Sequence, residues 1–445
     1  MLVSAVAFGA PVSRLLRVLQ TDASAHNIIK GSVDMDSKSI IFGQKINYNL
    51  LDDTLFEVII GIGRKKRRCA VTHPSIAFFN QLPVLVALQA AFSALLAYPL
   101  YKLNVDATNH KRPIFRTIFT FLIALPTAFY QPIYFIRLFD IHHVGLRMVL
   151  MTFPLLGGLR ILESYFGYVP SIATKNFTNY FAYFTCPFIV KFDESKQEPK
   201  RVSLQYFQTQ LQIIGIYFVY TGAVMSILWH YDWELFTLPS AVDSFDHTLF
   251  EMLSWKHLVN NYFMALILSL GLKQSTTGVS LLYSLASGYE TEDVVQSPMT
   301  KSQSTSEFWG RRWNNAVHKG LKNGVYKPVR YLTNSNLMGV IAAFVMSGII
   351  HEYVNLVIFS RTGIEFKWKY MIFFGYNAFL LFVEYTFGSL EIVQKIISKI
   401  PKPLITALVL SMALPIAHLF TGDWIVHGYF DAVMYAEPTI LCRSV

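Results

Sequence analysis

Long apolar segments separated by short polar connections run from residue 82 to residue 435 of the chain. About 20 apolar residues are enough to cross a bilayer as a helix. A helix satisfies its own backbone groups, which lipid cannot do, so each such segment is expected to be helical. The pattern predicts about eight or nine transmembrane helices, at residues 82–101, 114–139, 146–169, 206–229, 257–285, 337–359, 370–387 and 404–420, with a short last segment at 424–435.

The close spacing of these segments predicts an all-α, polytopic membrane protein with a single helical bundle. Residues 81–435 form the predicted transmembrane domain. Residues 1–80 are mixed and mostly polar, and residues 436–445 form a short C-terminal tail. The basic cluster at 64–68 comes just before the first apolar segment. Basic residues favour the cytosolic side of a membrane, so the N-terminal region is predicted to be mostly cytosolic.

Composition supports a membrane protein and narrows its chemistry. The chain is 53% hydrophobic and 15% charged, with a mean hydropathy of +0.39, whereas soluble domains are about a quarter charged. Its formal net charge of +10 indicates contact with anionic headgroups or phosphorylated ligands rather than with nucleic acid. The three cysteines are scattered without a CxxC motif. A thiolate metal site is therefore not expected.

A basic segment at 308–327 combines aromatic and cationic residues. If it is helical, one apolar stripe recurs every four residues, made of Trp309, Trp313, Val317 and Leu321. The cationic side chains lie largely off that stripe: Arg311, Arg312, His318, Lys319 and Lys322. This arrangement is typical of an interfacial amphipathic helix.

Two interpretations of this basic segment stay open. It is either a membrane-surface anchor or a binding site for a phosphorylated ligand, because the planar guanidinium groups of Arg311 and Arg312 suit bidentate contact with phosphate. Asn314 follows directly in the same segment and offers both a donor and an acceptor. These residues make the segment a candidate site for an activated, phosphate-bearing donor.

The apolar helix at 337–359 is interrupted by His351 and Glu352. Ionisable residues inside a membrane helix are expensive and mark functional sites by default. A neutral imidazole acts as a general base toward a hydroxyl group, and Ser347 and Asn355, four residues to either side, are placed to orient the ring. The alternative is a structural histidine whose hydrogen bonds are satisfied by a neighbouring helix.

These residues outline a transfer reaction between two substrates. A lipophilic hydroxyl compound would enter from the membrane, and a phosphate-bearing activated donor from the basic side. His351 would take the hydroxyl proton, and Asn314 would hold the donor or the developing oxyanion. A competing class is a transporter that uses intramembrane charges as a polar pathway, namely Arg160, Glu163, His351, Glu352 and Glu384.

The sequence Phe-Trp-Gly-Arg-Arg-Trp-Asn at 308–314, followed 37 residues after Asn314 by His351 in an apolar helix, resembles the membrane-bound O-acyltransferase (MBOAT) family. The Phe-Trp-Gly-Arg-Arg-Trp form is most similar to its wax synthase branch. The resemblance implies an MBOAT-like bundle in the endoplasmic reticulum membrane, acyl-CoA as co-substrate, and neither cofactor nor metal.

The resemblance implies catalytic roles for His351 and Asn314. Substrate contacts are predicted for the residues around them: Trp309, Arg311, Arg312, Trp313, Ser347, Glu352 and Asn355. The expected acceptor is a long-chain alcohol, which would give a wax ester. Diacylglycerol and sterol remain alternatives, and neither the acyl chain length nor the oligomeric state follows from the sequence.

Overall fold

The computed structural model of the chain describes residues 76–106, 113–238 and 245–433, and outside these ranges residues 40–41, 44–45, 54–62, 65–72, 242, 437 and 439–444. Most of the predicted N-terminal region at 1–80 therefore lies outside the described residues. Among the described residues, helices account for nearly all regular structure. This confirms the prediction of an all-α membrane protein.

The few strands are short and antiparallel. They are β1 (Ile40–Ile41), β2 (Gln44–Lys45), β3 (Thr54–Ile62), β4 (Lys65–Thr72), β5 (Phe192–Asp193), β6 (Glu198–Pro199) and β7 (Ile440–Ser444). Strands β1 and β2 pair, as do β5 and β6, while the third sheet has the order β3-β4-β7. In that sheet residue 69 is opposite residue 442. The backbone of the C-terminal tail thus pairs with a strand that precedes the first membrane helix.

Among the described residues, eight helices form the first half of the bundle. They are α1 (Ile76–Leu100), α2 (Pro113–Ile118), α3 (Leu125–Leu138), α4 (Val144–Leu150), α5 (Gly158–Phe166), α6 (Ser171–Thr174), α7 (Phe177–Thr185) and α8 (Leu204–His230). Short π-helical turns, at Tyr101–Val105, Phe119–Ala124 and Phe153–Gly157, extend or join several of them.

The second half carries the candidate site. Its helices are α9 (Leu249–Met252), α10 (Trp255–Ser287), α11 (Pro298–Lys301), α12 (Thr305–Glu307), α13 (Asn315–Leu321), α14 (Lys327–Thr333), α15 (Asn336–Ile358), α16 (Lys369–Phe387), α17 (Glu391–Ile397), α18 (Lys402–Ala413), α19 (His418–Val426) and α20 (Tyr429–Val433). Phe308–Arg312 and Lys322–Tyr326 are π-helical turns, and Leu414–Ile416 is a 3₁₀ turn.

Six helices within the described residues are long and apolar enough to cross a membrane: Phe78–Val105, Pro113–Leu138, Val144–Phe166, Leu204–His230, Asn336–Ile358 and Lys369–Phe387. The pair Glu391–Ile397 and Lys402–Ile416, bent by 118°, raises the number to seven if it forms one span. The chain is therefore a multi-pass membrane protein, but the predicted count of eight or nine is not confirmed.

Helix α10 explains part of this difference. It is 33 residues long and covers the predicted span at 257–285. Its buried face carries polar groups such as Asn260, Asn261, Lys273 and Thr277. These residues lower its hydropathy below that of a typical membrane helix, although its length of roughly 50 Å exceeds the bilayer thickness.

Two buried charges in α5 have local structural partners. Arg160 donates hydrogen bonds to the backbone carbonyls of Phe184, at 3.1 Å, and of Cys186. Glu163 accepts a hydrogen bond from the hydroxyl of Tyr183. Because buried charges are costly unless they are bonded, these contacts give both residues a structural role and weaken the interpretation of the pair as a transport pathway.

Candidate active site

A large cavity of about 710 Å³ among the described residues brings the two predicted catalytic residues together. His351 lines it from α15, and Asn314 lines it from the turn that precedes α13. Most of the wall is apolar and comes from several helices, with Met225, Ile267, Leu272, Phe344, Phe374 and Trp424 as examples. The volume lies within the usual range of small-molecule sites, so the cavity is the candidate active site.

The imidazole of His351 is held by its own helix. Its Nδ1 lies 2.7 Å from the backbone carbonyl oxygen of Ser347. A carbonyl can only accept, so Nδ1 carries the hydrogen, and the lone pair of the neutral ring is on Nε2. The rings of Phe374 and Phe420 pack beside the imidazole, with centroids 4.7 and 5.3 Å away. The tautomer is the one that a general base at Nε2 requires.

Each of the two predicted orienting residues makes one hydrogen bond with His351: Ser347 with the imidazole ring, and Asn355 with the backbone. Ser347 acts through its carbonyl oxygen, and its side chain is among those that line the cavity. Asn355 donates from Nδ2 to the carbonyl oxygen of His351 at 2.9 Å. Asn355 therefore supports the helix at this point, and its predicted contact with the imidazole ring is not observed.

Glu352 lies apart from the cavity lining. Its side chain is buried and accepts a hydrogen bond from the backbone N–H of Tyr370 at 3.1 Å. Tyr370 is in the first turn of α16, whose N–H groups carry partial positive charge. Glu352 is thus a cap on α16, and the structure does not place it where it was predicted to contact substrate.

The aromatic and basic segment is not one continuous helix. Trp309 lies in the π-helical turn Phe308–Arg312, and Asn314 caps α13, with its Oδ1 accepting from the backbone N–H of Val317 at 3.0 Å. The predicted apolar stripe nevertheless exists, because Trp309, Trp313, Val317 and Leu321 all line the cavity. The stripe therefore faces the protein interior instead of the lipid.

Helix α16 fixes this segment in place. The indole Nε1 of Trp309 donates to Oδ1 of Asn377 at 3.1 Å. About two turns further along the same helix, the carboxylate of Glu384 accepts hydrogen bonds from the backbone N–H groups of Thr305 and Ser306, at 2.5 and 3.2 Å. Glu384 is consequently a cap on α12. This role accounts for the presence of a carboxylate in an apolar helix, which sequence alone could assign to a transport pathway.

The two predicted donor-binding arginines both contact Glu307. Nη2 of Arg311 lies 2.5 Å from the carboxylate, and Nη2 of Arg312 lies 2.7 Å from it. Burial alone would raise the pKa of Glu307, but hydrogen bonds from Arg312 and Arg311 outweigh it and lower that pKa to about 2. Neither arginine lines the cavity. The Arg311 side chain is 62% exposed, so it is the one accessible from water.

Sequence reasoning placed His318 and Lys322 off the apolar stripe and gave no role to Glu437, yet all three residues line the cavity. His318 lines the cavity one helical turn after Asn314, and burial, with Lys322 and Lys319 nearby, lowers its pKa to about 4. The four-residue spacing between Asn314 and His318 was the sequence feature that could have indicated that both face the cavity. Glu437 also lines the cavity, and it accepts from Nε2 of Gln274 at 2.7 Å. Burial raises the pKa of Glu437 to about 8, and no local pattern links residues 163 positions apart.

Comparison with known proteins agrees with the position of this site. Residues 292–376, which include both the aromatic-basic segment and His351, match the model of the membrane bound O-acyl transferase family. The chain is 33% identical over 106 residues to Probable long-chain-alcohol O-fatty-acyltransferase 9 of Arabidopsis thaliana, covering 22% of the chain and 30% of that relative. It is 30% identical over 156 residues to Probable long-chain-alcohol O-fatty-acyltransferase 2 of the same plant, covering 34% and 42%.

A third similar protein has another acceptor in its name. Over 87 residues the chain is 38% identical to Acyl-CoA--sterol O-acyltransferase 1 of Arabidopsis thaliana, covering 18% of the chain and 24% of that relative. Each of these three matches spans less than half of the relative's length.

Proposed function

Because the chain belongs to the membrane-bound O-acyltransferase family, in its wax synthase-like branch, we propose that it is an acyl-CoA-dependent O-acyltransferase that esterifies long-chain alcohols to wax esters. One observation supports the proposal most directly. His351, with the lone pair on Nε2, and Asn314 line the same apolar cavity, which is built within the membrane domain.

The proposed reaction transfers an acyl group from sulfur to oxygen. Nε2 of His351 takes the proton of the alcohol as its oxygen attacks the thioester carbonyl carbon. The amide Nδ2 of Asn314 stabilises the oxyanion, since its Oδ1 already accepts from Val317. Collapse of the tetrahedral intermediate breaks the carbon–sulfur bond, and the imidazolium returns its proton to the thiolate. The products are one ester and free coenzyme A.

The apolar wall is suited to the two substrates of this reaction. Burying methylene groups contributes about 0.8 kcal/mol each, so long acyl and alkyl chains would bind by burial alone. Positioning both substrates in one site removes much of the entropic barrier to their reaction. The transfer itself uses the side chains of the protein and needs no cofactor.

We place the site in the endoplasmic reticulum membrane with its basic segment toward the cytosol. Positively charged loops favour the cytosolic side, where acyl-CoA would approach. The exposed guanidinium of Arg311 would contact the phosphates of the donor. Arg312 would act indirectly, by holding Glu307 and the carbonyl oxygen of Gln296.

The acceptor is tested by product identity. Membranes containing the full chain would receive labelled acyl-CoA with a long-chain alcohol, diacylglycerol or a sterol in separate reactions. We expect label in wax ester, at a rate well above that of membranes without the chain. Label only in triacylglycerol or only in sterol ester would overturn the wax ester assignment. Sterol is the second candidate, because one similar protein is named for that acceptor.

The base is tested by His351→Ala. Removing a general base costs about 10²- to 10⁴-fold in rate, so ester formation should fall by at least about 100-fold while membrane insertion is retained. His142→Ala is the control, because His142 is exposed and bonds to Asp140 and Arg361. Ester synthesis by His351→Ala at the rate of the control would remove His351 from the mechanism.

A further inference from the structure

Three buried histidines meet at a second, separate place in the membrane domain. His247 lies in the connection between α8 and α9, His257 in the first turn of α10, and His418 at the start of α19. One ring nitrogen from each lies within 4.8 Å of the others. All three are less than 10% exposed. Three imidazoles converging from three elements are the donor set of many zinc sites.

The surroundings of two of these rings, His257 and His418, are compatible with metal binding. Nε2 of His257 lies 3.0 Å from the carbonyl oxygen of Pro415 and 2.8 Å from the amide Nδ2 of Asn261. In the tautomer that donates from Nε2 to Pro415, Nδ1 keeps the lone pair that a metal ion requires. A carbonyl on the distal nitrogen is the usual support of a metal-bound imidazole. Nδ1 of His418 is buried and has no hydrogen-bond partner. An absent water or ion is one explanation for a buried polar atom without a partner.

The space between the rings suits a single ion. The recess that the three histidines line has a volume of about 10 Å³, close to what one small bound particle requires. In a tetrahedral zinc site the ligand nitrogens are about 3.4 Å apart, given zinc–nitrogen bonds of about 2.0–2.1 Å. The ligand nitrogens of the three histidines lie within 4.8 Å of one another, so binding zinc would require any pair of them to approach by at most about 1.4 Å. Glu234 lines the same recess and supplies negative charge.

We propose that His247, His257 and His418 form a zinc site, with water in the fourth position. Zinc fits because imidazole is among its preferred ligands and it accepts tetrahedral coordination. The site would join the α8–α9 connection to α10 and α19. This departs from the sequence-based expectation of no metal, which rested on the scattered cysteines and on family resemblance. His247 and His418 are 171 residues apart, so no local sequence motif predicts the cluster.

The expected role of the ion is structural. The recess and the large cavity share no lining residue, so zinc would not touch the reacting groups. Two residues after His418, however, Phe420 packs against His351, and Trp424 on the same helix lines the cavity. Zinc at the start of α19 would thus hold one wall of the cavity in position. The inference is independent of the proposed reaction.

Metal content of the full chain tests the site directly. The protein would be expressed with zinc supplementation, purified in detergent, and analysed for metal by mass spectrometry and by X-ray absorption at the zinc edge. We expect about one zinc per chain, with nitrogen ligands at about 2.0–2.1 Å. A wild-type protein that carries no zinc under these conditions would overturn the proposal, whatever its activity.

Variants assign the ion to these histidines. His257→Gln and His418→Gln should each reduce bound zinc by at least about tenfold, and both should lower the melting temperature. The control His142→Gln should keep the wild-type zinc content, because His142 is an exposed histidine distant in sequence from the cluster. Equal zinc content in His257→Gln, His418→Gln and wild type would place the metal elsewhere and exclude the site.

Discussion

His351 and Glu352 are adjacent in sequence but have different surroundings. Successive residues of an α-helix point about 100° apart. His351 lines the cavity, and Glu352 turns toward the first turn of α16. Sequence alone identified the pair as unusual, because both are ionisable residues in an apolar helix. It could not separate their roles, since the position of α16 depends on contacts that no local pattern contains.

Glu352→Gln should affect stability more than catalysis. The change removes the negative charge that faces the N-terminus of α16, a contribution of about 1–2 kcal/mol in buried geometry. We expect a lower melting temperature, with the turnover rate per folded molecule within about threefold of wild type. Glu365→Gln is the control, because the Glu365 side chain is 76% exposed. A large loss of turnover in a Glu352→Gln variant of wild-type stability would show that Glu352 takes part in the reaction.

His318 should make the stability of the protein depend on pH. Its pKa is about 4 in the folded protein, compared with 6.5 for an unperturbed histidine, and burial is the main cause. The unfolded chain therefore binds a proton at a higher pH than the folded protein does. Stability is fully present above pH 6.5 and falls as the pH decreases from 6.5 to 4, by up to about 3 kcal/mol.

The melting temperature measured between pH 7.5 and 4 tests this dependence. Wild type should lose more stability over the interval than His318→Gln, whose side chain does not titrate. The exposed-histidine variant His142→Gln should follow the wild-type curve. Parallel curves for wild type and His318→Gln would show that His318 is not the group responsible.

At the scale of elements, glycines set how closely the helices approach. A Cβ atom on Gly324 would lie 2.9 Å from the backbone carbonyl oxygen of Leu159, and one on Gly320 would lie 2.9 Å from the side chain of Leu159. The aromatic-basic segment therefore packs tightly on α5. The four-residue stripe of this segment was predictable from sequence. Its division at two π-helical turns and its direction into the cavity were not, because packing against α5 and α16 decides both.

Gly324→Ala tests this close approach. The new methyl group meets a backbone atom that cannot move aside, and overpacking of this kind costs about 1–3 kcal/mol. We expect a lower melting temperature for Gly324→Ala. Gly215→Ala in the exposed face of α8 has no atom within 4 Å of its new methyl group, and alanine favours the helix by about 1 kcal/mol. Gly215→Ala should therefore be neutral or stabilising; equal effects of the two changes would contradict the packing argument.

At the scale of the whole molecule, one cavity connects the proposed base, the proposed oxyanion donor and a long apolar wall. The 37-residue spacing between Asn314 and His351 was visible in the sequence, and the prediction that they act together stays a prediction until the variants are measured. The wall itself was not predictable, because its residues come from segments distributed between residue 78 and residue 437.

The size of this cavity should set the chain length of the substrates. Gly278 in α10 lines the cavity, and a Cβ atom there would meet no other atom within 4 Å. Gly278→Leu should therefore place an isobutyl group in the empty space and shift the esters formed toward shorter chains. Competing alcohols of different lengths in one assay would measure the shift.

Gly215→Leu is the matched control for that assay. A Cβ atom at this position also meets no other atom within 4 Å, but Gly215 is exposed on α8 and does not line the cavity. We expect the wild-type product profile from this variant. If Gly278→Leu also gave the wild-type profile, the cavity would not be where the chains bind.

Helix α16 carries none of the proposed catalytic residues, yet it touches both halves of the site. Near its start it receives Glu352 and packs Phe374 on His351. Further along, Asn377 bonds to Trp309 and Glu384 bonds to Thr305, and both contacts lie just before Asn314 in the sequence. The length and register of this helix thus fix the position of His351 relative to that of Asn314. Inserting one residue between Phe374 and Asn377 would rotate the second half by about 100° and advance it by about 1.5 Å. Related proteins should therefore tolerate substitutions along this helix far more readily than insertions or deletions within it.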